Sequence, residues 1–400
     1  MMPAWHLALW ALSLAIAVPT AVWAFECAAA LLLSPGKPRS QDGPRPRVTI
    51  LIPAHNEALG IRQTLASVLP QLVAEDRLVV IADNCADDTA AIARAHGATV
   101  FERIDPARPG KSYALEFGMS QIRDWATDVV IAIDADCTAL PEAISHLARM
   151  AFRTGRPAQA SYYLEPPEVS SPQFHIAALA FYIKNVVRPG GLAKLGLPCF
   201  LNGSGMAIPV RVAHSLNWAN QKIAEDKWST ADLALAGDMP SFCPESRISS
   251  RLPHGTRALA TQRVRWIHGH LETMLGQGPR LIAAAVRQMR PGLLVLALDL
   301  LVPPFSYLNL LWLVGLAIAL VALLLSGVWG PAVFLAVWGG IMVAMVAAID
   351  RRFGGLPWWQ LVAAMPGYFS SRMRLLGSFA LRRQKQWIPT ARDRRQPEQD

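Results

Sequence analysis

The sequence predicts an α/β protein, a parallel sheet with helices on both faces, set between membrane-crossing helices at the two ends of the chain. Three observations predict it. Short β-branched runs alternate with helix-spaced segments from residue 48 to residue 138, the pattern of parallel strands joined by crossover helices. Long apolar runs gather near the two ends, so the hydrophobic share of 52% and mean hydropathy of +0.27 over 400 residues indicate a membrane protein rather than a large soluble core. Polar clusters follow the strands at their C-terminal ends, where an open α/β sheet forms its crevice.

Lys and Arg number 38 against 29 Asp and Glu, a formal charge of +9. Many arginines stand close to apolar segments, without the interleaved aromatic and basic residues of a nucleic-acid groove, so the charge points to an anionic membrane and not to nucleic acid. The cysteines (Cys27, Cys85, Cys137, Cys199, Cys243) are dispersed, odd in number and lack a CxxC pair. They read as reduced cytoplasmic residues.

The first apolar run, residues 7–33, is interrupted chiefly by Glu26 and is long enough to cross a bilayer. No Lys or Arg precedes it, whereas Lys37, Arg39, Arg45 and Arg47 follow. The N-terminus is therefore expected outside, with residues 1–33 as an anchor and 34–47 as a linker leading into the cytoplasm. A soluble domain is expected over 48–270. Its first strand covers 48–53 and runs into the polar turn Ala54-His55-Asn56-Glu57, then a helix bearing Ile61, Leu65 and Val68. A second strand, 78–82, ends in Asp83-Asn84-Cys85-Ala86-Asp87-Asp88-Thr89, and a third strand candidate, 100–103, leads to Pro109-Gly110-Lys111-Ser112.

The strand at 129–133 ends in Asp134 and Asp136. Two residues apart on an extended backbone, these carboxylates point to one side, a spacing suited to one hard divalent cation beside a phosphate. A solvated acidic loop would look the same. Asp83 is suited to a base imide or a ribose hydroxyl, with Glu57 assisting, and Lys111 at a helix start is suited to a diphosphate. The plain alternatives are helix-capping aspartates and a surface lysine. A Gly-x-Gly-x-x-Gly after the first strand and a Walker lysine motif are both missing, which argues against dinucleotide and NTPase chemistry.

Residues 200–208 read as an apolar strand interrupted by Gly203-Ser204-Gly205, where backbone can approach a ligand closely. Glu225 and Asp226 open a helix. The helix dipole alone favours carboxylates there, while the functional reading makes Asp226 a general base that deprotonates an acceptor hydroxyl. In Thr261-Gln262-Arg263-Val264-Arg265-Trp266, Arg265 suits a phosphate and Trp266 the apolar floor of a sugar site. An interfacial helix would show the same residues. Residues 271–292 are expected to form an amphipathic helix on the membrane surface. Residues 293–325 and 328–349 are expected to cross it, with Pro303-Pro304 kinking the first. Residues 356–381 read as an interfacial or membrane-associated helix, and 382–400 as a basic tail.

Together, Pro53-Ala54-His55-Asn56-Glu57, Ala82-Asp83-Asn84-Cys85-Ala86-Asp87-Asp88-Thr89, Gly110-Lys111, Asp134-Ala135-Asp136, Glu225-Asp226 and Gln262-Arg263-Val264-Arg265-Trp266 carry a resemblance over residues 48–266. The chain resembles the membrane-bound family 2 glycosyltransferases, inverting enzymes that include cellulose, chitin and hyaluronan synthases and the ceramide glucosyltransferases. The resemblance implies a GT-A fold, a nucleoside diphosphate sugar, most often a UDP sugar, and Mg2+ or Mn2+. It puts the base of the nucleotide on Asp83 and the metal on Asp134 and Asp136. It makes Asp226 the catalytic base, and closes Gln262, Arg265 and Trp266 over the diphosphate and the acceptor sugar. Glu57 and Lys111 fall on the donor side of this scheme, Gly203 and Glu225 on the acceptor side. Two departures stand out: Ala224 replaces the usual threonine before the acidic pair, and the membrane region is sparse for a chain that would export a polymer by itself.

The expected activity is inverting transfer of a sugar to a hydroxyl of a membrane-held lipid or lipid-linked glycan, by a multi-pass protein of the inner (cytoplasmic) membrane with its catalytic domain in the cytoplasm. A processive polysaccharide synthase shares every motif and differs in product length. A non-catalytic membrane receptor for nucleotide sugars would have no use for Asp226 and Trp266.

Overall fold

The computed structural model of the chain describes residues 4–34, 44–165, 171–220, 222–251, 256–355 and scattered positions within 357–370, the side chains of 256–263 apart. The linker residues 35–43, most of the expected helix at 356–381 and the tail at 382–400 lie outside the described residues.

Eight strands form one sheet in the order β3-β2-β1-β4-β7-β6-β8-β5, with β1 at Val48–Ala54, β2 at Arg77–Asp83, β3 at Thr99–Arg103, β4 at Val129–Ala132, β5 at Cys137–Ala139, β6 at Ala158–Glu165, β7 at Met206–Pro209 and β8 at Ser241–Arg251. The half built from β3, β2, β1 and β4 is parallel, as the strand and helix alternation predicts. Both faces are covered. Ile50 and Ile52 of β1 point into one apolar layer with Ile61 and Leu65 of α2 (Ile61–Val68), and Leu51 points into the other with Leu115 of α4 (Lys111–Gln121). This alternation on one strand is the period of two read across a doubly covered sheet.

The other half departs from a purely parallel sheet, because β7 runs antiparallel to β4, with Met206 opposite Ala132. That direction has a consequence for the crevice: the loop before β7 meets the loop after β4, so Gly203 and Ser204 lie against Asp134. The strand expected over 200–208 is correspondingly short. Gly203 and Gly205 adopt φ values of +87° and +66°, which break the extended run, and pairing begins only at Met206.

Among the described residues, three helices are long and apolar enough to cross a membrane: α1 (Ala4–Leu32), α12 (Phe305–Ser326) and α13 (Gly330–Phe353). The expected kink at Pro303-Pro304 is a full break. Two consecutive prolines remove two backbone donors, and residues 293–325 divide into α11 (Pro291–Leu301) and α12. Leu293, Leu296, Ala297 and Leu300 of α11 pack on Leu281, Ala284 and Ala285 of α10 (Thr256–Gln288) and on α9 (Glu225–Ala236), under the catalytic domain. The helix expected over 271–292 is the second half of α10, which runs unbroken across the expected boundary at 270/271.

Membrane helices and sheet are tied by charge as well as packing. Arg188, at the start of α7 (Arg188–Lys194), donates from Nε to Glu26 Oε2 of α1 at 2.5 Å and from a terminal nitrogen to the Asp299 carboxylate of α11. Lys194 donates to the carbonyls of Ala30 and Leu33 at 2.6 and 2.7 Å, satisfying orphan acceptors at the end of α1.

Candidate active site

The C-terminal ends of β1, β2 and β4 open into a crevice of about 230 Å³, closed on the far side by α9 and α10. Glu57, Asp83, Lys111, Asp134, Asp136, Gly203, Glu225, Asp226, Arg265 and Trp266 all line it, so the structure brings together the sequence candidates with one omission. The side chain of Gln262 lies outside the described residues.

Asp83 is the last residue of β2 and is buried. The parallel register sets it opposite Arg103 of β3, whose guanidinium donates to Asp83 Oδ1 at 2.6 Å. Asp83 Oδ2 accepts the Gly110 N–H at 3.3 Å. Asp87, of the same loop, is a structural tie: it accepts from the Ala58 N–H at 3.1 Å and from the Thr89 hydroxyl at 2.5 Å.

The Lys111 ammonium bridges two elements. It pairs with the Asp134 carboxylate and donates to the Gly203 carbonyl at 2.6 Å. Burial pushes the Asp134 carboxyl above its ordinary range, against the pull of Lys111 and with Asp136 adding to the push. Asp134 also donates its backbone N–H to Ser204 Oγ at 3.1 Å, and the buried Gln159 holds the Ser204 carbonyl at 2.9 Å and the Asn202 N–H at 2.8 Å. These contacts fix the two loops relative to each other.

Asp134, Asp136 and Cys137 offer ligand atoms within 4.8 Å of one another. Burial first, then the two aspartates, push the Cys137 thiol well above its usual range, so it stays protonated and is a poor partner for a hard cation. The two carboxylates fit Mg2+ or Mn2+, both of which take oxygen ligands.

Gly203 stands between Lys111 and Asp226. A Cβ at Gly203 would stand 3.5 Å from Lys111 Nζ and 3.6 Å from Asp226 Oδ2. Burial, reinforced by the neighbouring Asp226 charge, raises the Glu225 carboxyl to about 7. Arg265 lowers both Asp134 and Glu225 through its charge, and Trp266 packs beside Phe181 of α6 (Pro172–Tyr182) with ring centroids 5.6 Å apart. Sequence reasoning passes over Arg103, Gln159, Tyr162, Lys184 and Lys227. Each reaches the site through sheet register or helix packing, and none has a local pattern that marks it.

Comparison with known proteins bears on the family and the fold. Residues 44–269 match the family described as Glycosyltransferase like family 2. The chain is 27% identical over 243 residues to "Probable glycosyltransferase YdaM" of Bacillus subtilis, spanning 58% of this chain and 56% of the relative. It is 38% identical over 96 residues to "4,4'-diaponeurosporenoate glycosyltransferase" of Staphylococcus aureus, spanning 23% of this chain and 24% of that one. In fold it is similar to the mannosyltransferase PcManGT of Pyrobaculum calidifontis, solved with GDP-Man and Mn2+, at a TM-score of 0.55 and 18% identity over 92% of this chain and 99% of that one. The crevice at the strand ends of a GT-A sheet and the match over more than half of the residues lead to one assignment: this chain is a family 2 glycosyltransferase.

Proposed function

We propose that the protein transfers one sugar, with inversion, from a nucleoside diphosphate sugar, UDP-linked by preference, to a hydroxyl of a membrane-held lipid or lipid-linked glycan at the cytoplasmic face of the inner membrane. The observation that carries this reading is the meeting of Asp134 and Asp136 with Glu225 and Asp226 across Gly203 in one crevice. Asp83 and Glu57 receive the nucleoside, while Lys111 and Arg265 receive the diphosphate. Asp134 and Asp136 would hold a divalent cation, which would supply charge neutralisation for the leaving diphosphate.

Asp226 takes the proton of the acceptor hydroxyl as its oxygen bonds to the anomeric carbon. The bond from that carbon to the diphosphate oxygen breaks on the opposite face, and the nucleoside diphosphate leaves. Glu225 orients the acceptor, and Trp266 gives its sugar or chain an apolar floor. Membrane contact is supported by the exposed residues Leu275, Ile282 and Val286 of α10 and Met289 just past its end, with Arg280, Arg287 and Arg290 beside them.

The test is mass spectrometry of products from purified protein in lipid, given a panel of nucleotide sugars, a membrane lipid extract and Mg2+ or Mn2+. One added sugar on a lipid, abolished by EDTA, is the expected outcome. A ladder of sugar masses would replace single transfer by processive synthesis, and donor binding without any product would make the protein a receptor.

A further inference from the structure

Beside the crevice lies a second, mainly apolar cavity of about 150 Å³. Its walls come from the membrane helices and the catalytic domain together, with Trp23 of α1 and Phe305 of α12 stacked at 5.5 Å on one side and Leu164, Phe200 and Leu300 on others. The two spaces adjoin, for Phe181, Lys184, Asn202, Lys227 and Trp266 line both.

Two lysines stand at this junction. Lys184 is exposed to the spaces it lines and has no hydrogen bond or salt bridge among the described residues. Lys227 is buried, and its ammonium lies 2.6 Å from His270 Nδ1. An imidazole that accepts there carries its proton on Nε2. Other charges face the pair. Arg188 is paired with Glu26 and Asp299, and the carboxylates that act on both lysines are Asp226, across the junction, and Asp299. An ammonium held in a largely apolar cavity without a bonded anion is costly to bury, and an arriving oxyanion offsets that cost.

We infer that the junction recognises the acceptor as an anionic amphiphile: an apolar chain fills the cavity, and a phosphate or carboxylate beside the reacting hydroxyl binds Lys184 and Lys227, presenting that hydroxyl to Asp226. The identity of this ligand as acceptor rests on the glycosyl transfer proposed above, while the binding site itself does not. Burial first, then Lys184, lower the Lys227 ammonium to about 7, so an anion binds the protonated form, and affinity falls as pH rises above that value.

The test uses the full-length protein in phosphatidylcholine nanodiscs, with oleoyl lysophosphatidylglycerol as the probe. Its phosphodiester keeps one charge from pH 6 to 9. Monooleoylglycerol has the chain without the charge, and glycerol 1-phosphate the charge without the chain. The lysolipid is expected to bind at least about tenfold more tightly than either, and Lys184→Gln and Lys227→Gln each to weaken it about tenfold, the range of a lost charged hydrogen bond. Ala180→Trp, which fills the cavity, should abolish lysolipid binding. Retained binding of a nucleoside diphosphate in each variant reports an intact fold. Equal affinity for the neutral lipid, unchanged binding in both lysine variants, or a loss of nucleotide binding that parallels the loss of lysolipid would overturn the inference. Glycerol 1-phosphate binding as tightly as the lysolipid would also overturn it, in favour of a soluble oxyanion. Lysolipid binding as described, with no sugar transferred from any donor, would support this site and sink the proposed reaction instead.

Discussion

The proposed reaction gives the neighbouring carboxylates Glu225 and Asp226 different work. Replacing Asp226 by Asn should leave nucleoside diphosphate affinity unchanged while kcat falls by about 10²–10⁴, the usual worth of a general base. Near-normal turnover in steady-state assays would remove Asp226 from that role. Asp136→Asn should instead weaken donor binding in the presence of Mn2+ and leave metal-free binding as it was, a difference that calorimetric titration reads directly. The Glu225 carboxyl titrates at about 7 in the folded protein, against an ordinary 4.5. Between those values the folded chain holds a proton that the unfolded chain has released, so this group's contribution to stability is complete below about pH 4.5 and is lost as pH rises to about 7. Glu225→Gln does not titrate. Its unfolding midpoint should therefore gain on wild type as pH rises through that window and keep a constant lead above it. Parallel curves in thermal scans from pH 5 to 8 would show that Glu225 is not held protonated.

At the level of elements, the contact between α1 and α7 joins the membrane part to the catalytic domain. Gly191 lies so close to α1 that a Cβ there would stand 2.0 Å from the Glu26 carbonyl oxygen and 3.0 Å from the Ala30 nitrogen. Backbone cannot rotate away as a side chain does, so Gly191→Ala forces the helices apart, at a cost of about 1–3 kcal/mol for overpacking. Gly340 in α13 is the matching control, with nothing within 4 Å of an added Cβ. Gly340→Ala should leave stability unchanged or raise it by up to about 1 kcal/mol through helix propensity. Melting temperatures in detergent test the pair, and equal effects of the two substitutions would mean that the α1 and α7 contact is not close-packed. The break between α11 and α12 follows the same logic of elements: α11 serves the core under α9, and only α12 continues as a span.

For the molecule as a whole, Arg188 is the charge that joins three parts of the chain, the first membrane helix through Glu26, the catalytic domain through α7, and the post-catalytic segment through Asp299. Removing one member of a buried ionic cluster strands the others, at about 3–5 kcal/mol. Arg188→Met should accordingly lower the midpoint of thermal unfolding in detergent sharply. Combining it with Glu26→Gln and Asp299→Asn should restore much of the loss, because no uncompensated carboxylate then remains. A triple variant as unstable as Arg188→Met would show that the guanidinium acts through packing and not through charge.

Much of the active half was legible in the chain because it is local. Strands 48–54 and 77–83 are short apolar runs that lead into polar loops, Asp134 and Asp136 follow a third such run, although a turn closed by the Cys137 N–H on the Asp134 carbonyl at 3.1 Å and not an extended backbone carries them, and Pro303-Pro304 removes donors wherever it stands. The residues that escaped reading depend on distance in sequence. Arg103 meets Asp83 through strand register, Gln159 holds Ser204 across the sheet, and Lys184, Lys227 and His270 come together only when α9 and α10 pack beside α6 and α7. Composition and spacing thus settle which chemistry is present and on which element, since side-chain type and backbone period act over a few residues. The antiparallel entry of β7, the cavity behind Trp266 and the partners of each buried charge are settled by packing, which joins residues from 20 to 162 positions apart and leaves no periodic trace in the sequence.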